Sequence, residues 1–182
     1  MERGLLASVG EGQGIYLSPD FTLEEMVRSA KADELNLSNQ PSPEEIENGR
    51  RLAVVLLQPT RERFGPLRVT SGFRCEALNK EVGGRPYSAH KWNCPLIGPK
   101  QRHCRAAADF QPLAATLAEV FDWLRLRSGL PFDQVVLERG RQARHEYDDT
   151  IHLAWTSGRP RRQAFVGQTY NRGPYLAVEV KG

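Results

Sequence analysis

The chain has 182 residues, of which 40% are hydrophobic and 26% are charged, and its formal net charge is +3. This composition is typical of a globular domain and not of a disordered or fibrous protein. No apolar run approaches the roughly 18 residues of a membrane helix, and the positive charge is weaker than that of most nucleic-acid binders. We therefore expect neither a membrane nor a nucleic acid as a partner.

The first third of the chain is predicted to be helical. Asp20 is the expected N-cap of a short helix over residues 22–31, which a polar connection over 33–41 follows. Ser42, with a proline and two glutamates directly after it, predicts the start of a second helix. Apolar residues along one face extend that helix to about residue 63.

Short strands are predicted from residue 65 onward. The predicted strands are 67–71, 106–110, 135–137 and 151–155, with an edge strand at 160–166. The predicted helices are 74–82 and 116–126, and a loop is expected over 91–104. Because helices lead and short strands follow, the sequence predicts an α+β fold in which helices pack on a small antiparallel sheet.

Two local features bear on the environment of the protein. Cys94 and Cys104 lie in one loop-like stretch and could pair in an oxidising compartment, but a reduced pair is the expected state. Arg159, Arg161 and Arg162 form the main local excess of positive charge. We expect them to be a solvated strand edge, and an anionic polymer such as cell wall stays open as a partner.

Two histidines and an aspartate are the candidate metal ligands. His90 follows Ser88-Ala89, His152 lies inside a predicted strand, and Asp109 follows three alanines. Two imidazoles, a carboxylate and one water make a four-coordinate zinc site with an open position, which is the catalytic arrangement. Residue spacing alone leaves open the alternative of a hydrogen-bonded core histidine and a capping aspartate.

Several short motifs follow one another in an order typical of one family. They are Ser71-Gly72-Phe73-Arg74, Leu78-Asn79, Val82-Gly83-Gly84, Ser88-Ala89-His90, Ala107-Ala108-Asp109, Phe132-Asp133-Gln134 and Ile151-His152-Leu153. Together they resemble the zinc D-Ala-D-Ala carboxypeptidase and L-alanyl-D-glutamate endopeptidase family, especially its phage and prophage branch. The resemblance runs from about Phe21 to Leu153, and it implies a hedgehog-like α+β fold with one zinc ion.

The resemblance also implies roles for individual residues. His90, Asp109 and His152 would be the three zinc ligands. Arg74 would bind substrate and steady the developing oxyanion, since a guanidinium offers fixed donors where negative charge appears. A structural salt bridge is the alternative role for Arg74. Ser88 would help to bind substrate as a hydrogen-bonding residue and would not be a nucleophile.

The general base has two candidates. Asp149 lies three positions before His152, where the family often places an acidic residue, and Glu138 closes the third predicted strand. Side chains three apart on a strand point to opposite faces, so Asp149 would need to lie in the turn before the strand. Such a base takes a proton from the attacking water and passes it to the leaving amine. The alternative for Asp149 is an ordinary turn acid.

Two departures from the family pattern stand out. Eighteen residues lie between His90 and Asp109, where the family usually has far fewer. The inserted stretch, 91–105, would lie beside the metal as a lid, a partner contact or a source of extra ligands. His103 could replace His90, or bind a second metal together with the cysteines at 94 and 104. Thr150 stands where the phage branch commonly has an aromatic residue.

The sequence therefore predicts a zinc peptidase that cleaves the peptide stems of bacterial peptidoglycan, as a phage endolysin or a virion-associated lysin. We expect an N-terminal arm (1–18), a peptidase-like domain (19–166) and a C-terminal tail (167–182). The start of the chain does not resemble a signal peptide, which predicts synthesis in the host cytoplasm and arrival at the cell wall by a separate release route or in the virion. The alternative is a phage tail or baseplate protein that retains the fold with weak or no activity. In that case the insertion and the termini would contact other virion proteins.

Overall fold

The computed structural model describes residues 14–96, 102–138, 149–167 and 175–181. Its helices are α1 (Leu23–Val27), α2 (Ala30–Glu34), α3 (Pro43–Leu52), α4 (Gln58–Phe64), α5 (Glu76–Glu81) and α6 (Leu117–Leu126). A π-helical turn over Ala53–Leu57 joins α3 to α4, and a 3-10 turn covers Ala89–Lys91. Its strands are β1 (Tyr16–Ser18), β2 (Phe21–Thr22), β3 (Leu67–Ser71), β4 (Arg105–Pro112), β5 (Gln134–Glu138), β6 (Thr150–Thr156), β7 (Gln163–Gly167) and β8 (Tyr175–Val178). None of the described helices has the length and apolar character that a bilayer crossing requires.

The start of the first helix differs from the prediction. Thr22 is its N-cap, and its Oγ1 accepts a hydrogen bond from the Glu25 amide at 3.2 Å. Asp20 does not cap the helix because its carboxylate accepts a hydrogen bond from Gln58 Nε2 at 2.8 Å. The predicted single helix over 22–31 is also wrong, since Arg28 has an extended backbone and separates α1 from α2.

The second predicted helix is confirmed at its start. Ser42 and Glu45 form a reciprocal capping box, in which each side chain accepts a hydrogen bond from the other residue's backbone amide. The helical path then continues through the π-helical turn to Phe64. Its buried residues, which include Leu52, Leu56 and Leu57, pack into the core beneath the sheet.

The predicted α+β class is confirmed, and the main sheet is larger than expected. Its six described strands have the order β3-β4-β6-β5-β7-β8, in which all neighbours are antiparallel except the parallel pair β5–β7. The segment 160–166 is therefore not an edge strand, because β7 pairs with β5 on one side and β8 on the other. Strand β8 comes from the segment 167–182 and forms the edge of this sheet, whereas β1 and β2 form a small separate sheet.

The two faces of the main sheet have different chemistry. In β4, the side chains of Ala106, Ala108 and Phe110 are fully buried in the core, against the helical layer. The alternate residues Arg105 and Asp109 line a cavity on the opposite face. One strand thus contributes to the apolar core with one face and to a polar cavity with the other.

The inserted stretch 91–105 is anchored in the core, as far as the structure describes it. The side chain of Trp92 is 0% exposed, and its indole Nε1 donates to the Ala107 carbonyl at 3.0 Å. Its ring covers Gly49 of α3 so closely that a Cβ at that position would lie 2.2 Å from the ring. Trp92 fixes the chain directly after His90 and so helps to position that histidine.

The insertion also holds a disulfide, which corrects the expectation of a reduced pair. Cys94 and Cys104 are bonded through their sulfurs, whereas Cys75 is free. Backbone pairing brings the two cysteines together, since the amide of Arg105 donates to the Asn93 carbonyl at 3.1 Å. Because both sulfurs are bonded to each other, the suggested second metal site that uses them with His103 is not formed.

Candidate metal centre

Three elements bring the predicted ligands to one point. His90 lies on the 3-10 turn, Asp109 on β4 and His152 on β6, where the last two are direct cross-strand partners. His152 Nδ1 lies 2.8 Å from Asp109 Oδ1, and His90 Nε2 lies 3.2 Å from each of these two atoms. The three ligand atoms therefore form a nearly equilateral triangle.

The dimensions of this triangle fit a tetrahedral zinc ion. Bonds of about 2.0–2.1 Å at tetrahedral angles put neighbouring ligand atoms about 3.3 Å apart. His90 Nδ1 lies 2.8 Å from the Gly72 carbonyl and donates to it, which leaves the Nε2 lone pair directed at the shared point. Among the described residues, these three side chains are the group that could hold a metal ion.

The protonation states of the ligands also suit a cation. His90 is 4% exposed, and this burial lowers the pKa of its imidazole, so the ring is neutral and able to coordinate at neutral pH. Burial alone would raise the pKa of Asp109, but His90 and His152 together hold it well below its usual value. A neutral imidazole and an ionised carboxylate are the forms that bind a divalent metal.

Arg74 lies against the ligand set. Its Nη2 donates to Asp109 Oδ2 at 3.1 Å, and its Nε donates to Ser71 Oγ at 2.9 Å. Its backbone amide donates to the His90 carbonyl at 2.9 Å. The predicted alternative of a salt bridge is thus formed, and it holds the guanidinium at the edge of the centre.

Ser88 supports the turn that carries His90. Its Oγ accepts a hydrogen bond from the His90 amide at 3.3 Å and caps the 3-10 turn. The side chain also lines the cavity beside the ligands. The structure therefore gives Ser88 a positioning contact, while its substrate-binding role stays a prediction.

The centre opens into a cavity of about 980 Å³ on the exposed face of the sheet. Of the two candidate bases, both within the described residues, Glu138 lines this cavity and Asp149 does not. Asp149 lies directly before β6, and its backbone carbonyl accepts a hydrogen bond from Gln111 Nε2 at 2.7 Å. Thr150 also lines the cavity, opposite Glu138 on the neighbouring strand.

Glu138 has a partner that the sequence did not reveal. Tyr175 of β8 places its hydroxyl 3.2 Å from both carboxylate oxygens of Glu138. Burial raises the pKa of Glu138 above its usual value, although the charge of His152 and the hydrogen bond from Tyr175 act against this shift. Burial and the neighbouring carboxylate raise the pKa of Tyr175 to about 12, so its hydroxyl stays a donor. The short apolar run at 175–178 is a weak strand signal, but no local feature links it to Glu138.

The comparisons with known proteins agree with this geometry. A protein-family model described as Peptidase M15 matches residues 19–154, and this range includes all three ligands, Arg74 and Glu138. A search of curated protein sequences found no match to the chain. M15 peptidases are zinc enzymes, so the metal-binding group and the family model point to the same chemistry. Because the matched range covers well over half of the chain, the protein belongs to the Peptidase M15 family.

Proposed function

We propose that this metallopeptidase is a zinc enzyme that hydrolyses the peptide stems of bacterial peptidoglycan. The observation that carries the proposal is the convergence of His90, Asp109 and His152 on one point in a cavity that also holds Glu138. These three side chains would hold a zinc ion, which would supply polarisation of the scissile carbonyl and a lower pKa of the attacking water. The remaining steps use side chains of this chain.

Glu138 is the proposed general base. It shares the cavity with the ligands, and its carboxylate is half-buried, which raises its pKa and makes it a stronger proton acceptor. It takes a proton from the attacking water and gives it to the leaving amine. Tyr175 keeps the carboxylate in place by donating to it.

Arg74 is the proposed stabiliser of the oxyanion. Ser71 and Asp109 engage its Nε and Nη2, so the plane of the guanidinium is fixed before substrate arrives. The Nη1 group is engaged by neither neighbour and offers a donor where negative charge develops on the carbonyl oxygen. Preorganised donors of this kind need no reorganisation during the reaction.

The cavity supports a peptide substrate that carries negative charge. It is about 980 Å³ in volume, enough for several residues, and its lining has a small excess of arginines over acidic residues. The arginines are Arg28, Arg74, Arg85, Arg105 and Arg161, and the acidic residues are Glu25, Asp109, Asp133 and Glu138. Peptidoglycan stems are short peptides with free carboxylates, so they fit both the volume of the cavity and the arginines in its lining. Either a carboxypeptidase or an endopeptidase reaction is compatible with this lining.

The proposal includes the place of action. The disulfide between Cys94 and Cys104 supports work outside a reducing cytoplasm, as at the bacterial cell wall. A phage endolysin or a virion-associated lysin acts at that location.

The test is digestion of purified peptidoglycan sacculi, with mass spectrometry of the released peptides. The zinc-loaded chain is expected to create new peptide termini, whereas the chain stripped with chelator and the His152→Ala variant release none. The masses identify which bond is cut. A zinc-loaded, folded chain that leaves sacculi intact would contradict the proposal and favour the structural alternative of a tail or baseplate protein.

A further inference from the structure

A second polar group lies in the same cavity, on the same strand as Asp109. Arg105 begins β4, four residues before Asp109, and both side chains project from the cavity face of the sheet. The register of β4 against β6 is continuous between these positions. A strand rises about 3.4 Å per residue, so the two Cα atoms lie about 14 Å apart.

The guanidinium of Arg105 has an unpaired donor. Its Nε is buried and has no hydrogen-bond partner among the described residues. The nearby carboxylate of Asp133 is already occupied, since it accepts from Arg161 Nε at 3.0 Å, from Nη2 at 2.6 Å and from the backbone amide at 3.0 Å. Burial and the positive charge of Arg161 lower the pKa of Arg105, although the charges of Asp133 and Tyr87 act against this shift.

A recess of about 270 Å³ opens beside Arg105. It is lined by Pro95, His103, Arg105, Asp133, Thr156, Arg159 and Arg161. Its described lining thus has three guanidinium groups and one carboxylate, so an excess of positive charge faces the space. A guanidinium with a free edge is well suited to bind a carboxylate through charge-assisted hydrogen bonds.

The backbone around Arg105 is firmly held. Its amide donates to the Asn93 carbonyl, and the preceding residue, Cys104, is bonded to Cys94. Cys104 also receives a hydrogen bond at its carbonyl from Thr156 Oγ1 at 3.2 Å. The guanidinium therefore projects from a rigid base, as a preorganised binding group requires.

We infer that the Arg105 end of the cavity is a carboxylate-binding subsite for the substrate peptide. An extended peptide advances about 3.3 Å per residue, so the bound carboxylate belongs to a residue three or four positions from the scissile bond. This inference rests on the proposed function, because it takes the metal centre as the point of cleavage. It assigns a role in substrate selection to Arg105 and to the neighbouring Arg159 and Arg161, of which the last two lie beyond the matched family range.

The test uses a series of synthetic stem peptides in which one glutamate is placed at successive positions from the cleaved bond. Each peptide has a matched glutamine version, and kcat/KM is measured for both. The wild-type chain is expected to prefer glutamate by about tenfold at three or four positions from the bond, as one charge-assisted contact provides. In Arg105→Gln the preference falls to near one.

Two further variants separate charge recognition from folding. Arg159→Gln removes an exposed charge from the recess and is expected to reduce the preference in the same direction, even if Arg105→Gln does not fold. Arg51→Gln is the matched control, since Arg51 is exposed on α3 and pairs with Glu47. It is expected to keep the wild-type preference.

Binding to the metal-free chain distinguishes this inference from the proposed function. Isothermal titration measures the dissociation constants of the same glutamate and glutamine peptides without any cleavage. Peptides that the zinc-loaded chain does not cleave, but that the metal-free chain binds about tenfold more tightly with glutamate than with glutamine, would support the subsite and contradict the peptidase proposal. Equal rates and equal binding for the two peptides in the wild-type chain would overturn the subsite.

Discussion

Asp109 and His152 face each other across β4 and β6, with Asp109 Oδ1 and His152 Nδ1 separated by 2.8 Å. This pairing joins residues that are 43 positions apart in the chain. It needs only the antiparallel register of two central strands, and the 3-10 turn then adds His90 from the side. Backbone pairing therefore positions the three side chains. We expect substitutions of these side chains to change the metal centre and to leave the fold intact.

The first prediction concerns metal content. Purified wild-type chain is expected to bind one zinc ion, and His152→Ala or Asp109→Ala is expected to lose it, because each removes one of three ligands. Elemental mass spectrometry gives zinc per chain. His103→Ala is the control, since His103 lies outside the ligand group, and equal zinc loss in that variant would contradict the assignment.

The second prediction separates the two acids. Glu138→Gln is expected to lower kcat/KM by about 100-fold or more while zinc content is kept, because the amide cannot accept the proton. Asp149→Asn is expected to stay within about threefold of wild type, since Asp149 does not line the cavity. The measurement is hydrolysis of a stem peptide at saturating zinc. The reverse ranking of the two variants would assign the base to Asp149.

The third prediction concerns the pH profile and Tyr175. The hydroxyl donates to the carboxylate of Glu138 and so lowers the pKa of that group. Tyr175→Phe removes this donor, so the pKa of Glu138 rises and the acidic limb of kcat/KM moves to higher pH. The hydroxyl itself, with a pKa of about 12, stays protonated across the assay range.

The control for this profile is Tyr16→Phe, because Tyr16 is exposed on β1 and lies outside the cavity lining. Its profile is expected to match the wild type. An acidic limb that stays in place, or moves to lower pH, in Tyr175→Phe would remove Tyr175 from the catalytic site.

The fourth prediction concerns the packing of the insertion. Gly49→Ala is expected to lower the free energy of unfolding by about 1–3 kcal/mol, because the new Cβ would lie 2.2 Å from the buried ring of Trp92. Helix propensity alone would favour alanine by about 1 kcal/mol, so the sign of the change tests the contact. Urea denaturation gives the value. Gly14→Ala is the control, since its Cβ would meet no atom within 4 Å.

The fifth prediction concerns the cysteines. Thiol titration of the denatured chain is expected to find one thiol, from Cys75, before reduction and all three after it. Three thiols without reductant in chain prepared under oxidising conditions would contradict the Cys94–Cys104 bond.

Much of the architecture follows from local sequence. Ser42 with Glu45 specifies a helix start through contacts three residues apart, and short apolar segments indicate β4, β5 and β6. The candidate metal-binding group was also predictable, since motif order identified His90, Asp109 and His152. The prediction that Asp20 caps the first helix was wrong. Its carboxylate accepts a hydrogen bond from Gln58, which is distant in the chain and which a local capping rule does not consider.

The sequence by itself thus indicated the zinc peptidase family, the candidate ligand set and most of the helices and strands, because these depend on short-range patterns and motif order. Only the tertiary structure decided that Glu138 and not Asp149 lines the cavity. It alone placed Trp92 in the core and joined Tyr175 to Glu138. The physical reason is that strand pairing and close packing bring together side chains that are far apart along the chain. The residues next to each of them do not indicate such a contact.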